Sequence, residues 1–297
     1  MTSKTAYLAR GFGLAIILTA ALPAGAEPPR WVVSDEDSEM VLFGTIHLLP
    51  NDLDWQSDAM LDQFEAAEEV WFEADPGNLQ GPEMQQLVMQ RGMDMEQPLS
   101  EKLEPELYER LVEQAGAFGL PEQQVAAMQP WLASLTLTSV AIMRAGFNPS
   151  AGVEMRLHGM LGDQTVRSLE SAEAQIRMLA DLDAEQQADM LASTLDQLEE
   201  GTERFEALTR EWATGETEGM EAMLVETMQT EYPELYDVLF TRRNADWVEQ
   251  LEAELAGSGT DFVAVGVGHL VGEGSVIELL RERGWTVERV DGSPAAP

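Results

Sequence analysis

"VLFGTIHLLP" (residues 41–50) and "FVAVGVGHLV" (residues 262–271) carry one pattern twice: an apolar run, then Gly-x-x-His-Leu. Each run is short, rich in β-branched and aromatic residues and closed by glycine, which reads as a buried strand. After the first run comes "SDAMLDQFEAAE" (57–68), apolar at helical intervals, with Ser57 placed to cap it. Then follows "VWFEAD" (70–75), another apolar run, stopped by Pro76 and Gly77. Strand, helix and strand in that order predict a βαβ unit and a parallel sheet.

Outward from this unit, residues 31–34 and 40–46 read as two strands joined by an acidic turn, and 165–170 as a further strand. The chain ends with strand "DFVAVGVGH", helix "GSVIELLRERG" and strand "WTVERVD". The middle reads as helical. "SEKLEPELYERLVEQAGAFG" has a cap at Ser100 and a stop at Gly119, and the next segment breaks at Pro130 and stops at Gly146. Residues 171–199 and 217–256 also read as helices. The fold class expected is α/β: a mixed, largely parallel central sheet with flanking helices and a large helical insertion over about 77–150. Residues 27–297 are expected to form one domain.

Residues 1–26 have the pattern of a secretory signal peptide. Lys4 and Arg10 precede the apolar stretch Phe12 to Leu22, and Ala24-Gly25-Ala26 supplies small residues for cleavage. This predicts a periplasmic or secreted protein with no membrane attachment after cleavage. There is no cysteine, which excludes disulfides and thiolate metal ligands. The net charge is −37, from 54 acidic against 17 basic residues. Such a surface repels nucleic acid and anionic membranes, so neither is expected as a partner.

Two of the three histidines, His47 and His269, lie just past the two Gly-closed runs. In open α/β sheets, ligands bind beyond the carboxyl ends of the strands. Glu73 ends "VWFEAD" and Glu170 ends "TVRSLE", so four strand ends carry His, Glu, Glu and His. Imidazole and carboxylate without thiolate suit Zn, Mn, Co or Fe as a divalent ion. The same residues can act without metal, a His–Glu pair deprotonating water. The residues alone leave both open. His158, in "MRLHGML", lacks this context and reads as a helix residue.

The pieces "GTIHLLP", "WFEAD", "GVEMRL", "SLESAEAQ", "RRNADW" and "GVGHLVGEGSVIELLRERGW" occur in an order that resembles the TraB/GumN family, related to the Tiki proteases. That resemblance implies a mixed α/β fold, two Gly-x-x-His motifs meeting at one site, and metal-dependent hydrolysis of the Tiki type. It places His47 and His269 as the motif histidines, Glu73 and Glu170 as family carboxylates, and Arg243 and Asn244 as the Arg-Asn pair ahead of Trp247. Glu154 stands where the family pattern has Asp after Gly-Val.

The expectation is a metal-dependent peptidase acting on a peptide or protein substrate. Metal ligands are drawn from His47, His269, Glu73, Glu154 and Glu170. Glu73, Arg243 and Asn244 serve the chemistry, Arg243 by charge-assisted hydrogen bonds to an oxyanion. Two rivals stand beside it: a metal-free esterase-like hydrolase, and a periplasmic binding or regulatory protein using the same cleft, with 77–150 as lid or partner surface. Substrate, metal and oligomeric state are not legible.

Overall fold

The computed structural model describes residues 27–79, 81–201 and 203–290. The expected signal peptide and the last residues of the tail lie outside these. The strands are β1 (Arg30–Ser34), β2 (Ser38–Thr45), β3 (Leu49–Pro50), β4 (Glu69–Phe72), β5 (Phe147–Asn148), β6 (Thr165–Ser168), β7 (Gly259–Gly266) and β8 (Val287–Arg289). Six of them form one sheet in the order β6-β4-β7-β2-β1-β8, and β3 pairs with β5 separately.

The pairs β6/β4, β4/β7 and β7/β2 are parallel, while β1 runs antiparallel to both β2 and β8. The carboxyl ends of β6, β4, β7 and β2 therefore share one edge. This is the mixed, largely parallel sheet that the apolar runs predict. Helix α1 (Asp58–Ala66) crosses between β2 and β4, capped by Ser57, whose side chain accepts from Met60 N. The continuous apolar character of β2 and β7 has its cause in burial: Val41, Leu42, Phe43 and Phe262, Val263, Ala264 are all at most 3% exposed. Phe262 is wedged between Phe43 and Phe64, with ring centroids 5.6 and 5.3 Å away.

The middle of the chain builds α2 (Pro76–Leu79), α3 (Pro82–Gly92), α4 (Pro105–Ala117), α5 (Glu122–Ala126), α6 (Pro130–Arg144), α7 (Val153–Met160), α8 (Ala172–Ala180), α9 (Ala184–Glu199) and α10 (Glu203–Thr214). Then follow α11 (Thr217–Glu221), α12 (Thr227–Glu231), α13 (Pro233–Tyr236), α14 (Arg242–Leu255) and α15 (Val276–Glu282). The segments Ala222–Glu226 and Asp237–Thr241 are π turns, so 217–256 is not one regular helix.

Two more expectations need correction. Ser100 does not cap α4: Leu99–Glu101 is a 3-10 turn, and α4 starts at Pro105, which fits only the first helical turn. The 171–199 stretch is two helices, because Asp183 forms a capping box with Gln186 that starts α9 afresh. The helices of 77–150 share their core with a later one. Leu111, Val125 and Leu137 form a second core, and Leu191, Leu195 and Leu198 of α9 return to complete it. Helix α10 was not foreseen at all; its Trp212 is fully buried in the sheet core and donates to the Gly44 carbonyl at 2.8 Å.

Candidate functional site

Along the shared strand edge the sheet order sets out Glu170, Glu73, His269 and His47 side by side, after β6, β4, β7 and β2. The doubled Gly-x-x-His is thus two adjacent parallel strands, paired Thr45 with Gly266, each turning into a histidine. A Cβ added at Gly266 would have Glu73 Oε1 at 2.9 Å and both His47 Nε2 and His269 Cδ2 at 3.8 Å. Glycine there is what lets the three side chains converge over the backbone.

His269 is buried, 4% exposed. Its Nδ1 lies 2.6 Å from Asn244 Oδ1, and its Nε2 lies 3.0 Å from Arg243 Nη1. Arginine only donates, so Nε2 accepts and the proton sits on Nδ1, donated to Asn244. The Asn244 amide nitrogen donates to the Gly274 carbonyl at 2.9 Å, which orients its oxygen toward the ring. Burial pushes the His269 pKa down to about 3, so the ring is neutral.

Arg243 occupies the middle. It donates to Glu73 Oε2 at 2.8 Å, to Glu170 Oε1 at 2.7 Å, and to the Leu239 carbonyl at 3.0 Å. Its guanidinium lies 4.7 Å from the Trp247 ring centre, and Trp247 Nε1 donates to Glu170 Oε1 at 2.8 Å. Glu73 also accepts from Gly266 N at 2.7 Å and from Gln175 at 3.3 Å. Burial alone would raise the Glu73 pKa; the neighbouring His269, Arg243 and His47 and the Gly266 N–H outweigh it and hold it near 2.

His47 sits at the mouth, its side chain 62% exposed, with Nδ1 2.7 Å from Glu154 Oε1. The Glu154 charge raises the His47 pKa above the ordinary imidazole value, against some desolvation. Glu154 is also hydrogen-bonded by the Thr45 hydroxyl. Its helix, α7, is brought in by Gly152: an added Cβ there would collide with the His47 carbonyl, and Val153 N donates to Ile46 O at 3.1 Å.

The seven candidate site residues thus meet in one cluster. Their contacts differ in kind. His47, His269 and Glu73 face one another, Glu154 holds His47, Glu170 holds Arg243, and Asn244 holds His269. His158 stands apart, half-buried and 3.3 Å from Asp75. Arg242 is on the surface, paired with Asp237 at 2.6 Å. Trp247, the residue that follows the Arg-Asn pair, is buried and also touches the site. Its signal was its place one turn beyond Arg243 on the same helix face. Gln175 and Thr45 gave no signal of their own.

Chemically the donors suit a divalent ion: two imidazoles and a carboxylate, with oxygen partners on both Nδ1 atoms. They are not drawn together as a closed ligand set. Among the described residues, the acidic or imidazole donors that approach within 4.8 Å of one another in a group of three are Glu69 of β4, Asp261 of β7 and Glu254 of α14, away from this cluster. His269 Nε2 and Glu73 Oε1 are 4.0 Å apart, with Arg243 bound to both residues.

Fold and site together define a class: an α/β protein in which two Gly-x-x-His strand ends meet a carboxylate–arginine cluster. The model of the TraB/PrgY/gumN family matches residues 29–289, and the chain belongs to that family. It is 25% identical over 242 residues to the uncharacterized protein YbaP of Escherichia coli strain K12, covering 81% of this chain and 87% of YbaP. The Shigella flexneri YbaP is similar to the same degree. An uncharacterized protein of Treponema pallidum is 20% identical over 265 residues, covering 85% of this chain and 80% of its own. No solved structure matches the chain.

Proposed function

We propose that the protein is a metal-dependent hydrolase of peptides, exported to the periplasm or beyond. The observation that carries this is the pair of imidazoles. Each has Nδ1 engaged by an oxygen, Glu154 for His47 and Asn244 for His269; His47 Nε2 and Glu73 Oε1 both border Gly266, and His269 Nε2, now bonded to Arg243, lies 4.0 Å from the same Glu73 oxygen. That is the arrangement of ligating histidines with outer partners that fix their tautomer. His47, His269 and Glu73 would hold the ion, which would supply Lewis acidity toward water and a scissile carbonyl.

The chain's own groups do the rest. Arg243, whose Nη atoms bind Glu73 and His269, stabilises negative charge developing on a carbonyl oxygen beside them. Glu170 and Trp247 keep the guanidinium in place. Asn244 keeps the His269 proton on Nδ1. Glu154 keeps the His47 Nε2 turned inward and takes up its Nδ1 charge.

A second reading has its own observation: Arg243 already neutralises Glu73 and binds His269 Nε2. On that reading the site is a metal-free hydrolase, with His47 and Glu154 managing the proton of the attacking water. One experiment separates them: elemental analysis of the purified protein and of the His47→Ala/His269→Ala double variant, with peptide turnover assayed with and without chelator. Near-stoichiometric Mn, Co, Fe or Zn, lost in the variant and needed for turnover, is the expected result. Turnover by protein that takes up none of these ions would establish the second reading instead. Peptide binding without turnover under every metal would mean a binding protein and end both.

A further inference from the structure

The Arg-Asn pair does not act on His269 alone. Phe240, Arg243, Asn244 and Trp247 are spaced i, i+3, i+4 and i+7 along the chain, and all four touch the His269 side chain. Arg243 and Asn244 take its two nitrogens. Phe240 and Trp247 take its ring, with centroids 4.8 and 4.3 Å away. Two aromatic rings that close cannot share one face of an imidazole, so the ring is held between them.

Phe240 reaches this place from an irregular backbone. It lies in the π turn Asp237–Thr241, immediately before Arg242 starts regular α-helix. A π turn carries one residue more than an α turn and so rotates everything before it relative to everything after it. Tyr236 backs Phe240 with a stacked ring at 5.0 Å and 15°. The second motif is cut to receive the ring. A Cβ on Gly268 would stand 3.1 Å from Phe240 Cε1 and 3.9 Å from Leu224 Cβ. Leu224 itself belongs to the other π turn, Ala222–Glu226. Both π turns therefore meet the His269 turn, at the residue where Gly-x-x-His carries its additional glycine.

We infer that the π turn Asp237–Thr241 exists to seat Phe240 against His269, and that Phe240 is a positioning residue fixing the imidazole plane and hence the direction of Nε2. The inference goes beyond the hydrolase reading and holds whichever reaction, or none, the cleft performs. It also explains Gly268, which makes room for a ring.

The test is ¹⁵N NMR of the imidazoles in the full protein without added metal, since only three histidines need assigning. Wild type should show His269 as a single Nδ1–H tautomer. Phe240→Leu should make a second, Nε2–H species of His269 resolvable beside the Nδ1–H one and broaden the ring signals, because the ring loses its aromatic neighbour. Phe240→Tyr should restore the single tautomer. Gly268→Ala should reproduce the Phe240→Leu effect by displacing the ring, and deleting Val238 should do so by converting the π turn. A Phe240→Leu protein that folds and keeps a pure tautomer would overturn the positioning role. If Phe240→Leu does not fold, Gly268→Ala decides in the same way. A pure tautomer after Val238 deletion would overturn the part assigned to the π turn. None of these readouts depends on turnover or metal, so their failure is distinct from failure of the hydrolase proposal.

Discussion

At the scale of single residues, the site is an exercise in keeping buried charge paired. Arg243 is the one cation between Glu73 and Glu170, whose side chains are 12% and 16% exposed. Removing it by Arg243→Ala strands two carboxylates, and loss of one partner of a buried ion pair typically costs about 3–5 kcal/mol. Urea denaturation should read a loss of that order. Arg243→Lys should recover only part of it, since an ammonium cannot span Glu73, Glu170 and His269 at once. The pH dependence has a definite sign. The Glu73 pKa is lower in the folded state than in the unfolded chain, so its contribution to stability is present above pH 4.5 and is lost as pH falls toward 2. Glu73→Gln should flatten the acid limb of a stability–pH curve, and an unchanged limb would mean that other carboxylates carry it. His47 is different. Its ring is exposed and solvent can take its place, but Glu154 is only 12% exposed and loses its charge partner, so His47→Ala should lower the unfolding free energy by about 1–2 kcal/mol and, on the hydrolase reading, remove turnover. His269→Ala should remove activity too, with a measurable drop in melting temperature, because Asn244 and Arg243 lose their partner in a buried place.

Elements are where the sequence was most legible and where its limits have a physical cause. The strands announced themselves because β2, β4 and β7 are buried on both faces and must be continuously apolar. Their glycine-closed ends were visible for the same reason: a backbone that turns under converging side chains admits no Cβ at Gly266. Which carboxylate does what was not legible, since Glu73, Glu154 and Glu170 differ only in which neighbour they meet after folding. Helix α10 was missed although Phe205, Leu208, Trp212 and Ala213 make an apolar stripe at helical spacing among its charged residues. The π turns were missed because an inserted residue in a helix leaves no compositional trace. Strand β7 also carries a test of its own, away from the cleft. Asp261 is 7% exposed, accepts from Trp71 Nε1 at 3.2 Å, and faces Glu254 and Glu69. Burial, reinforced by the charges of those acids, raises its pKa to about 6 against the Trp71 hydrogen bond. A carboxyl raised in the folded state favours folding below its unfolded pKa near 3.8 and loses that advantage as pH rises through 6. Asp261→Asn, which keeps an acceptor for Trp71, should therefore stabilise by about 1–3 kcal/mol at pH 7 and by almost nothing at pH 3.5. Equal effects at both pH values would show that Asp261 is not protonated on folding.

For the whole molecule the dominating fact is charge. A net −37 on 297 residues repels itself in the folded state more than in the expanded chain, and the repulsion acts over a Debye length of about 10 Å at 0.1 M salt. Most ion pairs are exposed and contribute little, as in Arg177–Glu173 or Arg167–Glu69. Attractive surface pairs therefore do not offset the excess. Two hydrophobic cores do, one under the sheet and one within α4, α5, α6 and α9. The segments joining them start at the cleft: α2 and α3 follow Glu73, α7 brings Glu154, and α8 follows Glu170. Loosening of either core thus reaches the site. Salt should then act in the direction opposite to that for a protein held by ion pairs. Raising NaCl from about 10 mM to 0.5 M, which shortens the screening length several-fold, should raise the melting temperature and leave the Arg243–Glu73–Glu170 cluster intact, because that cluster is shielded from solvent. The check is a thermal melt across the salt series, run in parallel on Arg243→Ala. The wild type and the variant should gain stability with salt in parallel, their difference staying constant. A melting temperature that falls with salt would mean that attractive pairs, and not the two cores, hold this acidic chain together.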